Sequence, residues 1–219
     1  ALSAFAAFET TPIPPASIAQ VHEARLVSGE RVAVKVQHRG IEQALDLDLR
    51  HQAMLARLLA FLEPNLPDMR AVLREVRAMH EAEVDFRLEA RNMVEIDQNL
   101  RAARCVALLP TPVRHLSTRR VIVMAYMPGK QLTDAEGLRT AGIDVGTLYS
   151  RIADAWSSQL FRDGIFHCDP HPGNFLALEH AEAGSVPVVL DFGMVKRLTD
   201  VERLALCRGI YAVFERDAD

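Results

Sequence analysis

The chain has 219 residues and a formal net charge of −4, with 25 Lys and Arg side chains against 29 Asp and Glu. That length suits one large domain or two small lobes, and 49% hydrophobic with 25% charged residues is the balance of an ordinary globular protein. The acidic balance argues against a nucleic-acid binder that works by bulk phosphate attraction. The longest stretch without Asp, Glu, Lys or Arg is residues 10–22, which is too short to span a bilayer.

Three cysteines without metal-type spacing argue against a disulfide framework and favour a reducing compartment. We therefore expect a protein that is not secreted. The chain begins at Ala1 without a basic-then-apolar leader, and we expect it to be a piece of a longer protein.

The amino-terminal region carries two β-branched runs. Residues 21–26 and 31–37 flank a turn that contains Gly29, a pattern that predicts a hairpin. Alternation along the second run puts Lys35 on the opposite face from the valines on either side of it.

Two helices are predicted next. Leucines at three- and four-residue steps predict a helix over residues 41–62, which the prolines at 64 and 67 end. Asp68 is the predicted N-cap of a long second helix that runs to about Leu100.

The remaining chain alternates short strands with helices. We predict strands at 112–116 and 120–127, a helix at 143–163 closed by Gly164, a polar loop at 167–174, strands at 175–178 and 187–190, and a last helix at 201–214. The natural boundary between two domains is Pro128-Gly129, which divides the chain into residues 1–128 and 129–219.

The polar loop and a later tripeptide carry the strongest chemical signal. Residues 167–174 read His-Cys-Asp-Pro-His-Pro-Gly-Asn, and Asp191-Phe192-Gly193 follows a hydrophobic strand. Phosphoryl transfer from ATP needs a carboxylate base, oxygen ligands for Mg²⁺ and a cation on the phosphates. In a kinase-like loop, Asp169 would be the base and Asn174, five positions later, a metal ligand, with Asp191 as the second ligand.

The cation is expected on a strand in the amino-terminal half, held by a Glu from a helix. Lys35, in Val-Ala-Val-Lys, fits that description. Each part alone has a structural alternative, since a strand Lys can snorkel and Asp-Phe-Gly is a common tripeptide. The order of all the parts along the chain favours the catalytic interpretation.

Two further interpretations concern the polar loop. His167, Asp169 and His171 alternate as ligands of a metal hydrolase could, although two prolines fix the loop and no further cluster completes the site. The favoured alternative is that His167 braces the loop. Cys168 is either a redox-sensitive thiol or a spacer, and we favour the spacer.

Five stretches together give the chain a family resemblance, from about residue 5 to its end. They read Ala-Ser-Ile-Ala-Gln-Val-His (16–22), Val-Ala-Val-Lys-Val-Gln (32–37), Glu-Val-Asp-Phe-Arg-Leu-Glu-Ala-Arg-Asn (83–92), the loop 167–174 and Leu-Asp-Phe-Gly-Met (190–194). The chain resembles the UbiB/AarF-type atypical kinases, a family associated with ubiquinone biosynthesis. The first and third stretches are specific to that family, whereas other kinases share only the later motifs.

The resemblance implies an α+β, two-lobed protein-kinase-like fold with a family-specific helical insertion in the amino-terminal lobe. It makes residues 1–128 that lobe and residues 129–219 a truncated part of the carboxyl-terminal lobe. It implies ATP and Mg²⁺ as cofactors, phosphoryl transfer or ATP hydrolysis as the reaction, and isoprenoid-lipid or quinone metabolism as the setting. A lipid or quinone-pathway substrate, a protein complex and a location in the cytoplasm or peripherally on a membrane belong to the same expectation.

The resemblance also assigns roles to residues. Lys35 resembles the phosphate-binding lysine and Glu89 its helix partner, with Asp169 as catalytic base and Asn174 and Asp191 as metal ligands. Nucleotide contacts are expected from an Ala-rich loop (Ala16, Ser17, Ile18, Ala19) and from a hinge (Met124, Ala125, Tyr126, Met127), with Glu83, Asp85 and His167 in support.

Three departures from the family pattern stand out. Pro14 and Pro15 replace small residues and stiffen the Ala-rich loop, and Ala125 replaces a Glu common at the hinge. The family's Lys-x-Gly-Gln segment and the last helices of its large lobe have no counterpart in these 219 residues.

Two other functions stay open on the sequence alone. One is a small-molecule phosphotransferase of the aminoglycoside or choline type. Such an enzyme should lack the helix with a Glu-x-Asp motif, which is Glu83 and Asp85 in this chain. The other is a nucleotide-binding regulatory module without chemistry, which turnover would distinguish.

Overall fold

A computed structural model describes residues 2–13, 18–62 and 70–215. It contains helices α1 (Ile41–Leu62), α2 (Arg70–Glu83), α3 (Phe86–Ala102), α4 (Ala135–Thr140), α5 (Val145–Ser157) and α6 (Asp200–Glu215). Its strands are β1 (Phe5–Phe8), β2 (Ala19–Leu26), β3 (Arg31–Gln37), β4 (Val121–Ala125), β5 (Lys130–Gln131), β6 (Ile165–His167), β7 (Phe175–His180), β8 (Gly184–Val189) and β9 (Val195–Arg197). The predicted α+β class is confirmed. Within the described residues, no helix is long and apolar enough to cross a membrane.

The chain divides into two structural units. The first holds residues 1–90 and 112–126, and the second holds residues 91–111 and 127–219. The lobes predicted from the sequence, 1–128 and 129–219, stay a prediction. Residues 91–111, which that prediction puts in the first lobe, group with the second unit in the structure.

The first unit is built on a four-stranded antiparallel sheet in the order β1-β2-β3-β4. One face of this sheet packs into an apolar cluster whose buried members are Ala24, Leu26, Val32, Val34 and Val123. Strand β3 lies inside the sheet and is buried on both faces, so the residues that alternate with its core valines are also buried. Lys35 is one of these residues, and its register partners are Val21 on β2 and Ile122 on β4.

The predicted hairpin and first helix agree with the structure, whereas the second helix is wrong as a single element. Strand β3 and helix α1 have the predicted bounds. The helix predicted to run to Leu100 is broken at Val84 and Asp85 into α2 and α3, because Asp85 caps a new helix. The predicted N-cap Asp68 lies outside the described residues.

Two other predicted elements differ from the structure, and five short ones were not predicted. Residues 112–116 form one bridge, Pro112 to Met124, and a 3₁₀ turn over Arg114–Leu116 rather than a strand. The helix predicted over 143–163 begins at Val145, where Asp144 accepts hydrogen bonds from two backbone N–H groups, and ends as a π turn over Ser158–Asp163. Gly164 closes it with a φ of 66°, as predicted. The short elements β1, β5, β6, β9 and α4 were not predicted.

The second unit positions the polar loop between short strands. Antiparallel pairing gives a sheet in the order β5-β7-β8 and a separate pair of β6 with β9. Helix α5 packs against the β5-β7-β8 sheet. The buried members of the apolar cluster there are Leu138, Ile143, Leu148 and Ala177. The polar loop follows β6 and leads into β7, while Asp191-Phe192-Gly193 lies between β8 and β9.

Candidate active site

Lys35 and Glu89 form a buried ion pair within the first unit. The Lys35 Nζ lies 2.9 Å from Oε1 and 3.2 Å from Oε2 of Glu89, and the two side chains are 5% and 1% exposed. The same ammonium group lies 5.1 Å from the ring centroid of Phe86, which is fully buried. The strand lysine and the helix glutamate that the resemblance pairs are therefore in contact. Their catalytic role stays a prediction.

The turn between α2 and α3 sets where that glutamate lies. Asp85 Oδ1 accepts a hydrogen bond from the backbone N–H of Arg87, and Asp85 also makes a two-point ion pair with the Arg87 guanidinium. Gln37, buried on β3, donates to the Val84 carbonyl at 2.6 Å. The turn is thus tied to the strand that carries Lys35.

The acidic pair Glu83 and Asp85 does not lie on one continuous helix. Glu83 ends α2, and Asp85 precedes α3, so the long helix predicted through both residues is interrupted between them. The Arg87 guanidinium holds the pKa of Asp85 below its usual value. Asp85 is consequently an anion paired with arginine across the neutral pH range.

The predicted hinge and Ala-rich loop are described in part. Met124 is buried and pairs with Ala33 on β3, and the Tyr126 backbone N–H donates to the Arg31 carbonyl. Ile18 and Ala19 are buried at the start of β2. The rest of the predicted loop, Pro14, Pro15, Ala16 and Ser17, lies outside the described residues.

In the second unit, Asp169 and Asn174 are in contact across the polar loop. The Asn174 amide nitrogen donates to the Asp169 carbonyl at 3.1 Å and to its carboxylate Oδ2 at 3.2 Å. Asp169 is exposed, whereas Asn174 is half-buried. Because the nitrogen faces Asp169, the amide oxygen is the atom of Asn174 that can ligate a cation.

The His167 side chain holds this loop by a hydrogen bond to its backbone. Its Nδ1 accepts from the backbone N–H of Asp169, and its buried ring contacts Trp156 and Phe192 at centroid distances of 5.6 and 5.7 Å. The Gln159 side-chain oxygen accepts a hydrogen bond from the His167 backbone N–H. The Trp156 indole N–H donates to the backbone carbonyl of His167. Gln159 and Trp156 were not predicted as supporting residues, although a buried-face Gln beside the chain's single Trp was a usable signal.

Asn174 in the polar loop and Asp191 after β8 offer side-chain oxygens of the kind that a hard cation prefers. Asp191 Oδ1 accepts from the Gly193 backbone N–H at 2.8 Å, which fixes the carboxylate, and Asn174 offers an amide oxygen. Carboxylate and amide oxygens are ligands that Mg²⁺ takes in nucleotide sites. Asn174 and Asp191 thus carry donor atoms of the kind that would suit Mg²⁺, and their role as metal ligands stays a prediction.

The other interpretations of the loop have little geometric support. The Nδ1 atoms of His167 and His171 both accept backbone hydrogen bonds, so neither is directed to a shared metal. In the described ranges, no group of three or more His, Cys, Asp and Glu is placed to hold a metal ion. Burial raises the pKa of the Cys168 thiol, which disfavours the thiolate that a redox-sensitive cysteine needs.

Comparison with known sequences identifies relatives over nearly the whole chain. The model of a family described as the ABC1 atypical kinase-like domain matches residues 2–219. AarF domain-containing protein kinase 1 of Gallus gallus is 34% identical over 214 residues, which are 97% of this chain and 41% of the relative. Protein ACTIVITY OF BC1 COMPLEX KINASE 7, chloroplastic, of Arabidopsis thaliana is 32% identical over 96% of this chain and 30% of its own length. The chain thus spans less than half of these curated relatives.

Comparison with solved structures gives the same fold. A complex of Rv3197 with erythromycin from Mycobacterium tuberculosis superposes with a TM-score of 0.69 at 29% identity, over 90% of this chain and 48% of that one. The Rio2 kinase of Chaetomium thermophilum, in complex with ADP/Mg²⁺ and phosphoaspartate, has a TM-score of 0.52 at 14% identity, over 97% of this chain and 56% of that one. The predicted protein-kinase-like fold is confirmed.

Proposed function

The chain belongs to the ABC1 atypical kinase-like family, and from this premise we propose that it binds ATP with Mg²⁺ and transfers the terminal phosphoryl group. The buried pair of Lys35 and Glu89 carries the proposal. A buried ion pair is weak evidence of a purely stabilising role, because well-packed apolar residues often serve as well or better. A lysine held by a carboxylate is, however, what a kinase needs to orient a cation toward phosphates.

The roles follow from the chemistry of each side chain. Lys35 is proposed to contact the phosphates, and Glu89 to keep its ammonium group oriented. Asn174 and Asp191 are proposed to hold Mg²⁺, which when bound would neutralise charge on the phosphates. Asp169 is proposed to accept the proton of the attacking hydroxyl, and the amide of Asn174 keeps its carboxylate oriented for that transfer.

The family resemblance further supports a substrate from isoprenoid-lipid or quinone metabolism, and a protein that is cytoplasmic or peripheral to a membrane. Peptides, quinone-pathway lipids and water are the acceptors to compare in a turnover assay with ATP. Transfer to an aminoglycoside or to choline instead would indicate the small-molecule phosphotransferase. Nucleotide binding with no turnover on any acceptor, including water, would indicate the regulatory module.

Two amide substitutions separate binding from chemistry. Asp191→Asn loses a charged ligand of a hard cation, so the thermal stabilisation by ATP and Mg²⁺ should nearly vanish. Asp169→Asn retains the shape of the loop, so stabilisation should persist while turnover falls by roughly 10²–10⁴. Ligand at about 100 times its Kd stabilises by about 2.7 kcal/mol, or roughly 5–11 °C in Tm for a chain of this size. A full Mg²⁺-dependent shift in Asp191→Asn would contradict the proposed metal site.

A further inference from the structure

Asn92 on α3 uses both ends of its side-chain amide within the second unit. Its Nδ2 donates to the backbone carbonyl of Phe192 at 3.2 Å. Its Oδ1 accepts from Nη2 of Arg197 at 3.3 Å. The amide is therefore held in one orientation, with its donor end toward Asp191-Phe192-Gly193.

Arg197 is itself anchored to the same helix. Its Nη1 lies 2.6 Å from Oε1 of Glu95 and its Nη2 lies 2.8 Å from Oε2, a two-point ion pair between β9 and α3. Paired N–H groups of arginine on a carboxylate fix direction as well as distance. The guanidinium holds the pKa of Glu95 below its usual value, so the pair is ionised at neutral pH.

One peptide group connects this arrangement to the proposed metal ligand. The Phe192 carbonyl that accepts from Asn92 and the Gly193 N–H that donates to Asp191 Oδ1 belong to the same peptide unit. That unit is planar and rigid, so rotation of its carbonyl also rotates its N–H. Holding the carbonyl therefore holds the N–H, at 2.8 Å, on the Asp191 carboxylate.

We propose that Asn92 is a positioning residue that orients the Asp191 carboxylate through the Phe192–Gly193 peptide, with Arg197 and Glu95 fixing the amide of Asn92. This inference rests on the proposed function, in which Asp191 ligates Mg²⁺. Asn92 touches neither the nucleotide nor the metal in this scheme. A purely structural tie between α3 and β9 would change stability, whereas a positioning role also changes how much Mg²⁺ is needed.

Asn92→Asp is the sharpest variant, because it retains the shape and the acceptor for Arg197 but replaces the Nδ2 donor by an oxygen. Asn99→Asp is the matched control, since it makes the same change two turns along the same helix. The measured quantity is the Mg²⁺ concentration that gives half of the Tm shift caused by a fixed concentration of a non-hydrolysable ATP analogue. We expect about a tenfold increase in Asn92→Asp and less than a twofold change in Asn99→Asp.

Arg197→Gln provides a second variant if Asn92→Asp does not fold, because it leaves Asn92 in place and removes the group that orients it. We expect an increase of about threefold in the same Mg²⁺ concentration. Equal Mg²⁺ requirements in wild type and the folded variants at Asn92 and Arg197, with a normal shift in wild type, would overturn this inference alone. No Mg²⁺-dependent shift in wild type would overturn the proposed function, and the inference with it.

Discussion

Lys35 and Glu89 contribute little to stability as a pair but are costly to separate. Both charges have left water, and their attraction mainly offsets that desolvation. Removing the lysine removes the ammonium group that faces Glu89, so the carboxylate is left in a site built for an ion pair. The family resemblance predicted this pair, because motif order alone asks for a strand lysine and a helix glutamate without saying which glutamate it is.

We predict that Lys35→Met lowers the free energy of unfolding by about 3–5 kcal/mol. Adding Glu89→Gln should recover part of that loss, because the buried carboxylate is removed as well. A double-mutant cycle followed by urea denaturation should then give a coupling energy above about 0.5 kcal/mol. Arg50→Gln is the control: it breaks the exposed pair with Asp46 and should cost less than about 1 kcal/mol. Additive effects at Lys35 and Glu89 would contradict the prediction.

At the level of elements, periodicity predicted the long helices and missed the breaks within them. The apolar pattern continues through Val84 and Asp85, so nothing in hydrophobic spacing marks the end of α2. The break comes from hydrogen bonds that periodicity does not contain, namely the Asp85 cap and the contact of Gln37 with the Val84 carbonyl. Strands of two to four residues were missed because their pairing partners are distant in sequence.

Asp85, in the turn between α2 and α3, should make a pH-dependent contribution to the stability of the fold. Arg87 lowers the pKa of Asp85 in the folded protein, so the unfolded chain binds that proton more tightly. The stabilisation is therefore fully present above the unfolded pKa and is lost as pH falls through the folded value. We predict that Asp85→Asn lowers the free energy of unfolding by about 1 kcal/mol or less at pH 6. This gap between the variant and wild type should narrow as pH falls below about 4.

Urea denaturation between pH 6 and pH 3 measures this gap. Arg87→Gln should show the same narrowing, since it removes the other member of the pair. A gap that stays constant over this range in both variants would show that the ion pair does not stabilise the turn.

For the whole molecule, the sequence predicted the class of fold and the order of the motifs better than the grouping of segments. Residues 91–111 precede Pro128 in the chain yet group with the second unit, because Leu108 bridges Val188 on β8 and α3 contacts Phe192 and Arg197. Such contacts join positions 80 or more residues apart, which no local pattern reveals. The roles assigned to Asp169, Asn174 and Asp191 remain predictions that the experiments above address.

Trp156 offers a test of the proposed function on the scale of the whole chain. It is the single tryptophan, and its ring lies against His167 and Phe175 in the second unit, whereas Lys35 belongs to the first. If Lys35 and the polar loop bind the same nucleotide, replacing Lys35 should weaken the stabilisation by nucleotide that Trp156 fluorescence reports. We predict that the stabilisation by ATP and Mg²⁺, read from Trp156 fluorescence during urea denaturation, is roughly halved in Lys35→Met.

That reduction corresponds to a tenfold loss of affinity at about 100 times the wild-type Kd, or about 1.4 kcal/mol of the 2.7 kcal/mol gained. Each variant is compared with itself, with and without nucleotide, so the lower intrinsic stability of Lys35→Met cancels. Arg50→Gln, which also removes a positive charge from the first unit, should retain the full stabilisation. The same gain in Lys35→Met as in wild type would mean that Lys35 does not act on the nucleotide, and the buried pair would then be structural.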